Sequence, residues 1–377
     1  MSIDRLGHLS LNNHLFFIRR KIGALENLNY LLISPSIKSK KVANVSLLLM
    51  FIAYSKKIEN VRIICSSFLY FFITFFQAEF RNYQLLYKMT MESKESEFSL
   101  GIKTISFSEK QKKYGECVLN RMPIPKNKKI VSIFARDSSF LSQIDQKKDW
   151  SYHSYRDSDI ETYIGAIKYL INKNYVVLRI GSEYSKKINF IDENYFEYSL
   201  SEFKSGFMDL YVPYISDFII GSSSGATNVS LLFNTPLLAV NSAPFMESPV
   251  GKDDLFIQKK LIDSKGKIIP YKDIISDSRY YSYDGNKMEQ LYGIKYLDNS
   301  AEEILDATIE MNNIVNGKFA LNKNQRTLLE RYQNEYCQKN NWSNRFAPIS
   351  INWMEKNYYL YLGDDIDLIG GRNVENQ

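Results

Sequence analysis

The sequence predicts an α/β protein in two domains, built on parallel, doubly wound sheets. Three observations lead there. At 377 residues the chain is too long for one ordinary hydrophobic core. Short apolar runs alternate with helical patterns along most of its length, as strand–helix–strand crossovers require. Residues Phe218–Asn241, FIIGSSSGATNVSLLFNTPLLAVN, read in order as strand, small-residue loop, helix, turn and strand.

The elements follow from the N-terminus. Tyr30–Ile33, Val45–Tyr54, Val61–Ile64 and Leu69–Phe76 are apolar runs of a small α/β unit. A polar stretch, Met91–Phe98, precedes a helix over Ser108–Arg121, where Ser108 is an N-cap and Glu109 complements the helix dipole. The stiff, lysine-containing connector Met122–Asn127 marks the boundary between an N-terminal domain, residues 1–122, and a C-terminal one, residues 123–348. Ile130–Phe134 is a buried-type strand ending at Arg136 and Asp137. Asp157-Ser158-Asp159 starts a helix over Ile160–Asn172, its aspartates acting as caps. Tyr175–Ile180 is the next strand, closed by Gly181. Asn241–Lys260 is loop-rich, Ala301–Asn313 and Asn324–Gln338 are helices, and Ile349–Leu362 packs back across the domain interface. The remainder of segment 349–377 frays at its end.

Bulk properties exclude several classes. The net charge of +6 is mild and dispersed, with no basic block carrying interleaved aromatics, so a nucleic-acid partner is not indicated. Cys65, Cys117 and Cys337 form no CxxC pair and only three histidines occur, which argues against a metal site and fits a reducing cytoplasm. Met1 leads into Ser2-Ile3-Asp4-Arg5 without a basic-then-apolar leader. Ile63–Phe76, IICSSFLYFFITFF, is shorter than the ~20 residues of a spanning helix. It reads first as a buried strand and helix, and second as an element dipping into the inner membrane leaflet.

The loop Gly221–Gly225 stands where backbone N–H groups and a helix N-terminus converge on an anion such as a phosphate, or where a strand-to-helix turn simply needs small residues. In doubly wound sheets ligands bind beyond the carboxyl ends of the strands. Arg136, Asp137, Arg179, Gly181 and Ser222, Ser223, Ser224 and Gly225 all fall at such ends.

A set of motifs then adds to this reading. In order they are Arg5–Leu9 (RLGHL), Ser106–Glu109 with Tyr114-Gly115, Phe134–Leu141 (FARDSSFL), Tyr152–Ile160 (YHSYRDSDI), Val177–Gly181, Asp209–Tyr211, Phe218–Gly225 and Pro236–Asn241. Together they resemble a family of bacterial glycosyltransferases found with surface-polysaccharide and flagellar-glycan genes. The resemblance implies a GT-B architecture, two Rossmann-like domains facing a cleft, with the nucleotide sugar held mainly by the C-terminal one. It implies metal-independent transfer with no cofactor beyond the nucleotide-sugar co-substrate. The expected acceptor is a hydroxyl on a glycan, lipid-linked or protein partner, and the expected location is cytoplasmic, with a peripheral inner-membrane contact following only from the second reading of Ile63–Phe76. One departure is that the first strand has room only over Met1–Asp4.

On that reading His8 either deprotonates the acceptor or caps the following helix. Arg136 neutralises the leaving diphosphate, while Asp137 orients a sugar or serves as base; a local ion pair is the plain alternative. Arg179 and Gly181 belong to the pyrophosphate or base pocket beside Ser222–Gly225. Asp209 binds ribose or caps a helix, Glu247 contacts donor hydroxyls, and His153 and Arg156 contact sugar or acceptor. Attack opposite the leaving group inverts the anomeric centre. The same features fit a nucleotide-sugar epimerase or hydrolase, or a non-catalytic binding protein.

Overall fold

The computed structural model describes residues 1, 3, 5–25, 29–40, 42–76, 97–137, 149–183, 185–244, 249–274, 277–338 and 347–362. Glu247, the Ser138–Leu141 part of the FARDSSFL motif, most of the polar 91–98 stretch and the C-terminal end lie outside the described residues.

The N-terminal unit starts with helix α1 (Leu6–Lys21), followed by β1 (Tyr30–Ser34), α2 (Val45–Ser55), β2 (Val61–Cys65), α3 (Ser67–Phe75) and α4 (Glu109–Arg121). β1 and β2 pair in parallel, Tyr30 opposite Val61 and Ser34 opposite Cys65. The chain start runs beside them: the Met1 amino group donates to the Ile33 carbonyl at 2.9 Å, and Ala43 N–H to the Ile3 carbonyl at 2.8 Å. Asn44 caps α2 by accepting from Leu47 N–H at 2.9 Å, and its amide donates to the Gly206 carbonyl at 2.8 Å, tying this unit to the next. Ser108 and Gln111 form a capping box on α4.

Beyond the connector come β3 (Lys129–Phe134), helix α5 (Ile164–Asn172), β4 (Tyr175–Arg179), β5 (Tyr195–Phe196), α6 (Met208–Ile215), β6 (Phe218–Gly221), α7 (Val229–Phe233), β7 (Leu237–Ser242) and β8 (Leu255–Gln258). The strands form one six-stranded sheet in the order β5-β4-β3-β6-β7-β8, with every neighbouring pair parallel. Every residue of β4, β6, β7 and β8 is buried. That explains their unbroken apolar runs, because helices cover both faces of such a sheet. The fold class expected from the sequence is therefore present: α/β with a parallel, doubly wound sheet.

The strands β9 (Lys260–Ile262) and β10 (Lys295–Leu297) make a small antiparallel pair, with helix α8 (Gly285–Tyr292) between them. Helices α9 (Ala301–Val315), α10 (Lys323–Arg331), continued by a π-helical stretch Tyr332–Gln338, and α11 (Ile351–Asn357) follow, and the short helix α12 (Tyr359–Leu362) is the last described element. Glu310 of α9 accepts from the Ser350 hydroxyl at 2.6 Å and from Ile351 and Asn352 N–H at 3.0 Å, and so seats the start of α11. Segment 349–362 is held by these bonds, by a bridge from Ile349 to Phe256 and by Tyr361 on Gln258, all within the C-terminal unit.

One hydrophobic cluster runs from Ile3, Leu9, Phe17 and Phe51 to Val131, Ile220 and Met311, so the two units share a core. Phe107 sits among the rings of Phe207, Tyr211, Tyr214 and Phe233, with centroids 4.9–5.4 Å away. A β-carbon at Gly115 would stand 2.4 Å from the Tyr211 ring, which is why α4 carries glycine there.

Two expected helices are shorter than their patterns. Ile160–Tyr163 is a 3-10 turn leading into α5, and residues 225–228 are turns before α7. In the second case Ala226 N–H donates to the Ser224 hydroxyl at 3.3 Å and Thr227 Oγ1 donates to the Ser224 carbonyl at 2.8 Å. Such side-chain bonds compete with the helical ladder.

Candidate functional site

Strand order reverses between β3 and β6: from β3 the chain moves outward to β4 and β5, and from β6 to β7 and β8 on the other side. The carboxyl ends of these two strands diverge at that point and leave a crevice. The chain closes its floor with two bonds. Arg136 N–H donates to Ser222 Oγ at 2.9 Å, and Ser222 N–H to the Phe134 carbonyl at 3.2 Å. A β-carbon on Gly221 would lie 2.5 Å from the Thr227 methyl, so the turn requires glycine.

The Arg136 side chain is buried. It donates to the His153 carbonyl at 3.1 Å and to the Asp157 carboxylate, while Ser158 N–H donates to the Arg136 carbonyl at 2.9 Å. A second buried cation, Lys259, donates to the Asp157 carbonyl at 2.5 Å and to Asp298 at 2.6 Å. Burial lowers the pKa of both cations. Burial also pushes Asp157 up to about 6, against the pull of Arg136 and Lys259. The desolvation of the carboxylate outweighs its two partners.

An asparagine clamp holds the far wall. Asn241 N–H donates to Asn299 Oδ1 at 2.6 Å and Asn299 N–H to Asn241 Oδ1 at 2.7 Å. Asn241 Nδ2 also donates to Ser158 Oγ at 2.9 Å, and its φ is +52°, a region asparagine tolerates. Between these walls lies a cavity of about 540 Å³. Its lining includes the cations Arg136, Lys259 and Lys295, the carboxylates Asp137, Asp157, Asp159, Glu289 and Asp298, and the stacked pair Tyr155 and Tyr296, 5.2 Å apart.

The serine loop is braced from three sides. Ser223 Oγ accepts from Ala243 N–H at 3.2 Å, and Arg156 Nη2 donates to the Ser223 carbonyl at 3.2 Å. Arg156 Nε is buried with no partner among the described residues. The start of α1 meets the loop backbone to backbone: a β-carbon on Gly225 would stand 2.6 Å from Gly7 N. His8, one residue on, is exposed. The Arg5 guanidinium lies 5.5 Å over Trp150, whose ring stacks at 6.4 Å on His153. Segments far apart in sequence, Arg5–His8, Trp150–Asp157 and Ser222–Gly225, are thus neighbours.

Several expected site residues stand elsewhere. Arg179 is 2% exposed; it donates to the Lys186 carbonyl at 2.5 Å and to the Glu197 carboxylate at 3.2 and 3.3 Å. Glu197 also takes Tyr195 OH at 2.8 Å and Ile188 N–H at 3.1 Å, so this pair fixes the β5 edge and is not part of the cavity lining. Gly181, with φ +141°, turns the chain under the Phe134 ring. Asp209 accepts from Tyr198 OH at 2.9 Å and Lys204 Nζ at 2.9 Å, a structural tie at the start of α6. Asp159 caps the 3-10 turn through Glu161 N–H at 3.1 Å, as expected, whereas Asp157 pairs with Arg136.

Asp157, Lys259, Asp298 and Tyr155 line the cavity without having been singled out by the sequence as site groups. Lys259 follows the apolar run Leu255–Ile257, which was the available signal for a strand end in a stretch read as loop.

No family model matches the chain, and no curated protein matches it. Among solved structures the chain is similar to ADP-heptose lps heptosyltransferase II of E. coli, 15% identical with a TM-score of 0.30, covering 41% of this chain and 44% of that one. It is similar to a glycosyl transferase family 9 protein from Veillonella parvula, 10% identical with a TM-score of 0.33, covering 55% and 53%. It is also similar to E. coli heptosyltransferase WaaC with ADP-2-deoxy-2-fluoro heptose, 9% identical with a TM-score of 0.32, covering 68% and 91%. The chain spans about half the length of the first two.

Proposed function

We propose that this crevice binds a nucleotide sugar and passes its sugar to a hydroxyl acceptor, in a GT-B arrangement serving bacterial surface-glycan synthesis. The observation that carries the reading is the Arg136–Ser222 junction at the strand-order reversal, where Arg136 lines the cavity and the serine loop lies behind it, outside the lining. Sheets of this order take nucleotide ligands at that point. Motif segments scattered along the sequence, Arg5–Leu9, Tyr152–Ile160, Phe218–Gly225 and Pro236–Asn241, converge on the same place.

The charges divide the labour. Arg136 and Lys259 are already paired with Asp157 and Asp298, and carboxylates dominate the lining, so the cavity suits hydroxyl-rich sugar and ribose. The diphosphate belongs at the serine loop, beside the backbone of Ser223–Gly225 and the guanidinium of Arg156. In the transfer step the acceptor oxygen attacks the anomeric carbon and its proton passes to the Asp157 carboxylate. The bond from that carbon to the diphosphate oxygen breaks, with its electron pair leaving on the nucleotide. A carboxyl titrating near 6 suits a base at neutral pH. His8, at the α1 start, is the second candidate base. Guanidinium groups take the charge-neutralising part in this scheme, and attack from the opposite face inverts the anomeric centre.

The test is thermal unfolding with UDP, GDP, CMP or dTDP, without and then with magnesium. A nucleotide at ~100 times its Kd adds about 2.7 kcal/mol of stability. A shift from one nucleotide without metal supports the reading and identifies the donor class. The absence of a shift from all four removes it.

A further inference from the structure

Helix α3 has no buried residue. Phe68, Phe71 and Phe75 are 76, 64 and 70% exposed, and Phe72 and Phe76 are exposed beside them. The spacing i, i+3, i+4, i+7, i+8 puts all five rings on one stripe. A helix of a soluble domain turns such a stripe into the core, and this one turns it to solvent. The two-stranded sheet of the same unit also exposes Leu31 and Ile64, which the parallel register places on one side. Thr74 Oγ1 donates to the Tyr70 and Phe71 carbonyls at 2.9 and 3.0 Å, so its hydroxyl is satisfied within the helix.

Cations stand at the start of α3 and elsewhere in the same unit. The turn carrying exposed Lys38 and Lys40 is tied to the start of α3 by Ser36 N–H donating to Ser67 Oγ at 3.1 Å. Lys56, Lys57 and Arg62, all exposed, lie before and within β2. Residues 29–76 hold six basic side chains and a single acidic one, Glu59, in a chain whose net charge is +6.

We infer that α3 and the lysines at its start form a docking surface for an anionic lipid bilayer. The phenylalanines enter the acyl boundary while the cations meet headgroup phosphates. At nine residues the helix is too short to span, and no helix among the described residues is long and apolar enough to cross a membrane. A second copy of the chain fits worse, because it would bring two sets of lysines together. The inference stands independently of the transferase reading, since its readout is lipid binding.

The experiment is co-sedimentation of the full chain with phosphatidylglycerol-containing vesicles and with pure phosphatidylcholine vesicles. The expected result is binding to the anionic vesicles that weakens with salt. The double substitution Phe71→Ser and Phe75→Ser should weaken it at least ~10-fold, as the burial of two aromatic rings implies. Lys38→Gln with Lys40→Gln should weaken binding to anionic vesicles and leave binding to neutral ones unchanged. Circular dichroism of both variants should match the parent, because α3 buries nothing. Equal binding of the phenylalanine variant, no preference for anionic lipid, or a lipid-free dimer that the phenylalanine substitutions dissociate would each overturn the inference.

Discussion

Arg136 and Ser222 lie 86 positions apart and meet through a 2.9 Å bond from the Arg136 N–H to the Ser222 hydroxyl oxygen, at the point where strand order reverses. The bond joins the first turn of one half of the sheet to the first turn of the other. A buried N–H left without an acceptor costs about 1–3 kcal/mol. Ser222→Ala should therefore lower the stability read in denaturant unfolding by about that amount and weaken nucleotide binding. Unchanged stability would show that the loop holds without this bond.

Arg156 and Arg179 separate binding from folding. Arg156→Ala should keep the melting temperature within a few degrees and lose at least ~10-fold in nucleotide affinity by calorimetry, because it removes a charge-assisted contact at the serine loop. Arg179→Ala leaves the Glu197 carboxylate without its buried partner and should cost about 3–5 kcal/mol in stability. Reversed outcomes would move the diphosphate to the β4 end.

Asp157 is the group to titrate. Activity should rise with pH through about 6, where its carboxyl ionises. Asp157→Asn should cut kcat by ~10²–10⁴-fold while donor affinity stays within a few-fold. A normal pH profile in that variant would pass the base role to His8 or Asp137. In the folding balance the sign runs the other way: a carboxyl raised from 3.8 to about 6 contributes stability below 3.8 that is lost as pH rises through about 6.

Gly225→Ala would press a β-carbon to 2.6 Å of Gly7 N, against backbone that cannot swing aside. It should destabilise by about 1–3 kcal/mol, as overpacking does, and reduce nucleotide binding. Gly266→Ala meets nothing within 4 Å and controls for the loss of glycine at a surface turn, although its φ of +79° brings a strain of its own.

His14 sets an acid limit on stability. It is buried, bonded through Nδ1 to Thr104 Oγ1 at 2.7 Å, and burial pushes its pKa from 6.5 down to about 4. A lowered histidine contributes stability above 6.5 that is lost as pH falls to about 4. Buried Asp254, pushed from 3.8 up to about 7, has the opposite slope over the same window. Relative to His14→Gln, the parent should lose on the order of 3 kcal/mol between those limits. Parallel pH curves for the two proteins would refute the burial effect.

Much of the scaffold was legible in the sequence because local chemistry dictates it. Strands buried on both faces, such as Phe218–Gly221, must be unbroken apolar runs, and caps such as Ser108 announce helix starts. Arg136 and Ser222, both placed at strand ends by the sequence, do meet, through the Arg136 N–H and the Ser222 hydroxyl. Arg179 shared that signature, but which of two neighbouring strand ends faces the crevice depends on strand order, and Glu197 claimed it at the edge. Ile63–Phe76 is a strand and helix as expected but not a buried one, since α3 has no buried residue; periodicity cannot say whether a stripe faces a core or solvent.

The parallel α/β class, the small-residue loop at Gly221–Gly225 and the charged strand end at Arg136 follow from the steric and polar demands of a few adjacent residues, and so are legible from the residue order alone. That Asp157, Lys259 and Asp298 share one cavity, that Gly7 meets Gly225, and that Arg179 does not line that cavity became visible only in the folded chain. Those outcomes depend on strand order and on which faces meet. Both are set by the burial of the whole core, not by any one segment.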